Sequence, residues 1–257
     1  MISSASDNGY LNKVPAVTAS FWLIKVMSTT VGETVADYLA VNIGLGAKIT
    51  TTIMALLLSV ALIGQLSTRR YTPWIYWLCV VLVSIVGTQI TDTMTDRFDI
   101  SLYTSTAIFA GLLAAIFFAW WLSERTLSIH SIIGIKRELF YWSAILITFA
   151  LGTAAGDLAT EALGIGFTFG VLAFGALIAM VFISYLSGGN SVLCFWIGYI
   201  LTRPLGASLG DLLSQSREYG GLGFGATYTS ILFLIIIIGL VTIASFERID
   251  AETSEQQ

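Results

Sequence analysis

The residues best suited to chemistry in this sequence are four aspartates that recur at a fixed distance from a tryptophan. Asp37, Asp92, Asp157 and Asp211 each stand fifteen residues after a tryptophan and five after a glycine. The pattern Trp-x9-Gly-x4-Asp therefore occurs four times. Each aspartate lies near the end of an apolar stretch. Ionisable groups at membrane depth are costly, and by default they mark ion pathways or proton relays.

Further carboxylates stand one helical turn from three of these aspartates, and Asp96 is the one beside Asp92. Glu33 precedes Asp37 by four residues and Glu161 follows Asp157 by four, a spacing that puts both members on one helix face. The candidate cation-binding residues are therefore Asp37, Asp92, Asp157, Asp211, Glu33 and Glu161. They are also the candidate metal ligands, because hard cations prefer carboxylate oxygens. Since clustered carboxylates repel one another, we expect at least one to hold a proton, which suits exchange of a cation against protons.

Two basic residues interrupt the apolar stretches. Lys25 and Arg203 have no basic counterpart in the other repeats, so they are candidate charge partners that neutralise a carboxylate in one transport state. The alternative for Lys25 is that it reaches the membrane surface along its aliphatic stem. Pro204 is expected to kink or interrupt its helix. Asp96 follows Asp92 by one turn, but the sequence places it in a wet loop.

The composition is that of a protein dissolved in lipid. Hydrophobic residues make up 56% and charged residues 11% of the 257 residues, against roughly 25% charged in soluble domains. The net charge of −4 gives no basic surface for nucleic acid. Two cysteines and one histidine exclude a Cys/His metal cluster, and we expect no cofactor. Eight apolar stretches approach the roughly 20 residues that a membrane span needs: 16–37, 47–66, 73–94, 102–122, 138–160, 167–187, 191–213 and 226–246.

These stretches predict an all-α membrane protein of about eight transmembrane helices. We assign residues 1–14 to a polar N-terminal segment without a cleavable signal peptide, 15–246 to one transmembrane domain, and 247–257 to a polar tail. An even number of spans puts both termini on one side. That side holds seven Lys and Arg residues and the other holds three, so the positive-inside rule predicts cytoplasmic termini.

The repeats cover about 15–70, 71–134, 135–189 and 190–246, and each contains two spans. They therefore enter the membrane in the same direction, and all four aspartates lie on the non-cytoplasmic side. A pseudo-fourfold arrangement, or a pair of pseudo-twofold halves, follows. The motif glycines are predicted to be packing residues. The motif tryptophans are predicted to be anchors at the membrane interface.

This organisation resembles a family of uncharacterised bacterial integral membrane proteins. They have four tandem repeats, each with two transmembrane helices and a characteristic tryptophan. The matching tryptophans are Trp22, Trp77, Trp142 and Trp196. The resemblance covers about residues 15–246 and implies a multi-pass protein of the bacterial inner (cytoplasmic) membrane.

The function that the sequence favours is secondary transport of a small cation, such as a divalent metal exchanged for protons. A protonated organic amine is an alternative substrate, and no nucleotide-binding loop is present. A non-catalytic membrane scaffold or sensor is the alternative function. An intramembrane aspartyl protease is disfavoured because Ala154 and Ser208 replace the first glycine of its Gly-x-Gly-Asp motif. We therefore expect no catalytic residues. The expected partners are the lipid bilayer, a small cation and protons, and the oligomeric state stays open.

Overall fold

The computed structural model describes the backbone of residues 12–254, and the side chains of that range except those of Asp37, Val41, Glu161 and residues 247–254. The described chain forms eight long α-helices and no strand. They are α1 Ala19–Asp37, α2 Gly46–Ser67, α3 Pro73–Asp92, α4 Leu102–Glu124, α5 Ile135–Asp157, α6 Gly166–Leu186, α7 Ser191–Ser214 and α8 Ala226–Ser254. The all-helical prediction is confirmed.

Seven of the eight helices, α2 to α8, are long and apolar enough to cross a membrane. The chain is thus a multi-pass membrane protein. The first helix is the exception, because Lys25 and Glu33 lower its hydropathy. Both side chains are buried, and α1 packs against α3, α7 and α8. Protein surrounds α1, so its polar residues do not have to face lipid.

The odd-numbered helices form an inner ring in the order α1, α3, α5, α7 and back to α1. The motif glycines make this ring possible. A Cβ atom added to any of the four would come under 3.0 Å from a side chain of the next inner helix, so the helices touch backbone to side chain. The four pairs are Gly32 with Ser84, Gly87 with Phe149, Gly152 with Arg203, and Gly206 with Thr29. The prediction that these glycines serve packing is confirmed.

The even-numbered helices form an outer layer, each packed on the inner helix of the following repeat. Helix α2 packs on α3, α4 on α5 and α6 on α7, and α8 closes the ring on α1. In their most apolar stretches, α3, α5 and α7 have 72%, 61% and 56% of their residues buried, whereas α2, α4 and α8 have 22% and α6 has 6%. The inner helices therefore face protein and the outer ones face lipid. Of the two predicted arrangements, this closed ring is the pseudo-fourfold one.

The motif tryptophans close the ring at the end where α1 begins and α8 ends. Trp77, Trp142 and Trp196 are buried, so the prediction that they anchor the protein at the membrane interface is wrong for these three. The reason is a second aromatic residue directly before each tryptophan, which packs on the tryptophan of the next inner helix. The ring centroids of these pairs are 5.5–6.3 Å apart. The pairs are Phe21 with Trp77, Tyr76 with Trp142, Tyr141 with Trp196, and Phe195 with Trp22.

At the opposite end, three inner helices continue into a single π-helical turn. These turns are Tyr38–Asn42, Thr93–Arg97 and Leu158–Ala162, and a motif aspartate is the last α-helical residue before each. Helix α7 differs, because it runs past Asp211 to Ser214 without such a turn. Short π segments inside helices occur frequently at functional sites. In the first three repeats, the helix thus changes from α to π directly after the motif aspartate.

Candidate functional site

An acidic cavity of about 270 Å³ lies at the end of the inner ring opposite the motif tryptophans. Every inner helix contributes to its wall. Its acidic residues are Glu33 of α1, Asp92 of α3, Asp96 of the π turn after α3, Asp157 of α5 and Asp211 of α7. Gln89, Thr95 and Gln215 add further polar groups. The wall is therefore rich in oxygen atoms that attract cations.

Exposure falls from the mouth of this cavity to its floor. Asp96 is exposed, Asp92 and Asp157 are half-buried, and Asp211 and Glu33 are buried. The cavity therefore opens beside Asp96 and ends near Glu33. Asp96 is exposed as expected, but it does not lie in a loop, because the π turn carries it onto the cavity wall.

The ring brings four of the six candidate residues to one place: Asp92, Asp157, Asp211 and Glu33. The side chains of the other two, Asp37 and Glu161, lie outside the described part. Among the side chains that are described, no three of His, Cys, Asp or Glu come close enough to hold a metal ion together. The described carboxylates therefore surround the space without forming a preassembled metal site. Their role in binding a cation stays a prediction.

The floor of the cavity is a buried ion pair. The Nη2 atom of Arg203 lies 2.7 Å from Glu33 Oε2 and donates hydrogen bonds to Thr153 Oγ1 at 2.6 Å and to Thr88 Oγ1. The side chain of Arg203 is 0% exposed and that of Glu33 is 9% exposed. These four residues come one from each inner helix, so a single guanidinium ties the ring together across its centre.

Helical spacing explains why these groups meet. Glu33, Thr88 and Thr153 each stand eleven residues after the tryptophan of their repeat, one turn before the aspartate. In the fourth repeat that position is Ala207, and Arg203 stands one turn earlier. The sequence reasoning missed Thr88 and Thr153, although their shared offset with Glu33 was a readable signal.

Lys25 lies beyond this floor, two turns before Glu33 on α1. It is fully buried, so it does not reach the membrane surface and that alternative is wrong. Its ammonium nitrogen stands 4.1 Å from the ring centroid of Phe149 and 4.3 Å from that of Tyr199. Within the described part of the chain it has no hydrogen-bond partner. Two aromatic faces therefore hold Lys25, and no described carboxylate pairs with it.

The helix that carries Arg203 is continuous. Helix α7 passes through Pro204 from Ser191 to Ser214, so the predicted interruption does not occur. A proline removes one hydrogen bond of a helix, and tight packing can hold the helix together across that gap. A Cβ on Gly152 would lie 3.2 Å from Pro204 Cδ, which indicates such packing between α5 and α7.

Three further polar contacts hold the helices together towards the end that the motif tryptophans close. Tyr76 and Tyr141 share a hydrogen bond of 2.6 Å between their hydroxyl oxygens. Nearer the termini, Lys13 Nζ lies 2.6 Å from Glu138 Oε2, and Gln65 Nε2 donates to Glu138 Oε1 at 3.1 Å. The acidic cavity thus opens on one side only, and the aromatic pairs and these contacts fill the other end.

Comparison with known proteins agrees with this fourfold organisation. A family model matches residues 20–71, 75–126, 140–188 and 194–250, each an inner helix with its following outer helix. No curated protein and no solved structure matches the chain. Because the four matched segments cover well over half of the sequence, the chain belongs to the family described as Repeat of Unknown Function (DUF347).

Proposed function

We propose that this protein is a secondary transporter that exchanges a small cation for protons across the bacterial inner membrane, with both termini in the cytoplasm. The observation that carries the proposal is one acidic cavity, built by all four repeats and closed at its floor by the Arg203–Glu33 pair. A cation can enter such a cavity from one side but cannot pass through its floor while the pair is formed. Parallel repeats around a central site are one of the architectures that transporters use.

Glu33 couples the binding of a cation in the cavity to the opening of the cavity floor, because it both lines the cavity and pairs with Arg203. A cation in the cavity competes with the guanidinium for this carboxylate. When Glu33 turns to the cation, the floor loses its strongest contact across the ring. A bound cation thereby favours the state in which the floor is open.

Protons compete for the same carboxylates. Several acidic residues around one space repel each other, and either a proton or a cation relieves that repulsion. When the cation is released on one side, the carboxylates are left charged and take up protons there. The protein then carries these protons to the other side of the membrane. This competition is the basis of the proposed exchange.

The sequence favours a divalent metal, since carboxylate oxygens suit hard cations. The described carboxylates do not converge in threes. A metal ion in this cavity would therefore keep part of its water shell, as Mg²⁺ commonly does. Organic ammonium ions need no such convergence, and they remain in the substrate class.

Transport by the purified protein in proteoliposomes tests the proposal. An imposed pH gradient is expected to drive accumulation of at least one cation from a panel of Mn²⁺, Mg²⁺, Ca²⁺, Zn²⁺ and short organic amines. Asp92→Asn, Asp157→Asn and Asp211→Asn should each abolish it. Glu218→Gln, an exposed carboxylate outside the cavity, is the matched control and should transport normally. Equal transport by all four variants and the wild type would remove the carboxylates from the mechanism.

A further inference from the structure

The amide of Gln89 is a buried polar group in the cavity wall, and no described residue is its hydrogen-bond partner. Gln89 is 3% exposed and lines the cavity beside Asp92. Neither its amide oxygen nor its amide nitrogen has a hydrogen-bond partner among the residues that the structure describes. Buried amides are almost always satisfied, because leaving their hydrogen bonds unmade is costly. A buried amide with both ends open is therefore suited to receive a ligand.

A bare metal ion can satisfy only one of the two polar groups of an amide. Its oxygen accepts a hydrogen bond or ligates a metal, whereas its nitrogen only donates and needs an acceptor. An ammonium group provides N–H donors to the oxygen. When it also contacts a carboxylate, it draws that carboxylate towards the amide nitrogen. Gln89 thus suits a ligand that brings directional N–H groups beside the carboxylates of the wall.

The distribution of charge favours more than one ammonium group. The described carboxylates of the wall stand on four different inner helices, and no three converge on one point. A single compact ion is therefore not held by three of the described carboxylates at once, whereas a molecule with a positive charge at each end can contact carboxylates of different helices. The cavity has a volume of about 270 Å³, roughly nine times the volume that one molecule occupies in liquid water, which leaves room for a short carbon chain.

We propose that the substrate is a short-chain organic diamine in its doubly protonated form, and that Gln89 is the residue that distinguishes it from a metal ion. This inference rests on the proposed function, because it assigns the substrate of the same cavity. One ammonium group lies against the carboxylates near the mouth. The other lies deeper, where the amide oxygen of Gln89 accepts a hydrogen bond from it.

Binding to the purified full-length protein in lipid nanodiscs, measured by calorimetry, tests this inference. The probes are the diamines with three to six methylene groups, 1-aminobutane as the singly charged control, and Mn²⁺ and Mg²⁺ as the metal controls. The variants are Gln89→Leu, which removes the amide, and Gln89→Glu, which keeps an oxygen acceptor. Thr148→Val is the matched control, because Thr148 is also buried, has no hydrogen-bond partner for its hydroxyl among the described residues, and lies outside the cavity.

We expect at least one diamine to bind at least about tenfold more tightly than 1-aminobutane and either metal. Gln89→Leu should weaken the binding of that diamine by about tenfold or more, which corresponds to about 1.4 kcal/mol. Gln89→Glu keeps an oxygen acceptor and adds a negative charge, so it should bind that diamine at least as tightly as the wild type, and Thr148→Val should stay within about threefold of it. A size-exclusion profile and a melting temperature like those of the wild type show that each variant is folded, and Gln89→Met replaces Gln89→Leu if the latter is not.

Each contrary result overturns a distinct statement. If metals bind and diamines do not, the diamine assignment falls while cation transport stands. If a diamine binds equally well to Gln89→Leu and to the wild type, Gln89 is not the discriminating residue. If no probe binds and no proton-coupled accumulation occurs in proteoliposomes, the proposed transport function fails as well.

Discussion

The pair between Arg203 and Glu33 is the contact whose removal should destabilise the protein most. Arg203→Met keeps much of the side-chain volume but leaves the Glu33 carboxylate with no cationic partner at 2.7 Å. Both side chains are at least nine-tenths buried, so the little water that reaches Glu33 from the cavity replaces the lost partner only in part. Breaking a buried ion pair by removing one member costs about 3–5 kcal/mol. Glu33→Gln leaves the opposite charge buried and should cost a similar amount.

The double variant Arg203→Met, Glu33→Gln separates the pair itself from the packing around it. With neither charge present, no buried ion is left uncompensated, and replacing both members of a buried pair is often close to neutral. We therefore expect the double variant to be more stable than either single variant. The resulting coupling between the two sites should be at least about 2 kcal/mol.

Unfolding by sodium dodecyl sulfate in mixed micelles, followed by the fluorescence of the seven tryptophans, measures these free energies. Lys136→Met is the control. Lys136 forms an ion pair of 3.2 Å with Glu124 but is 68% exposed, so its loss should have little effect. Additive losses in the double variant would refute the reasoning, because they would mean that the two charges do not depend on each other. The floor of the cavity would then be held by packing alone.

Two further changes test the ring and its centre. Gly206→Ala adds a Cβ that overlaps the side chain of Thr29, so it should destabilise the protein by about 1–3 kcal/mol. Gly111→Ala is the control, because a Cβ there has no neighbour within 4 Å, and it should leave the unfolding free energy unchanged or slightly higher. Equal effects of the two changes would contradict the close contact of α7 with α1. Lys25→Met removes an ammonium that is fully buried and has no described hydrogen-bond partner, so we expect a melting temperature at or above that of the wild type. A clear fall would mean that the faces of Phe149 and Tyr199 stabilise the charge by more than its burial costs.

Much of the architecture follows from the sequence because it depends on local properties. Apolar runs of about 20 residues between polar connections fix the helices, and α2 to α7 begin and end within three residues of the predicted bounds. The constant spacing from tryptophan to glycine to aspartate fixes the number of repeats. Since each repeat contains two helices, it also puts the four aspartates at the same end of the bundle.

The errors came from features that depend on neighbouring helices. An isolated tryptophan near a span end has the properties of an interfacial anchor, and only the arrangement of the helices turned Trp77 and Trp142 inwards onto Phe21 and Tyr76. Lys25 has the stem length to reach the membrane surface, but α5 and α7 enclose it. The order of the inner helices decided both cases, and hydropathy carries no information about that order.

Residue type and spacing pointed to Asp92, Asp157, Asp211 and Glu33, which line one cavity, because a carboxylate in a membrane span is conspicuous whatever surrounds it. The tertiary structure alone decided that Arg203 pairs with Glu33 and that Thr88, Thr153 and Gln89 belong to the same centre. Hydroxyl and amide side chains are common in membrane helices, so their sequence positions do not mark them. They come together only when four helices close around one axis and bring groups more than a hundred residues apart into hydrogen-bonding distance.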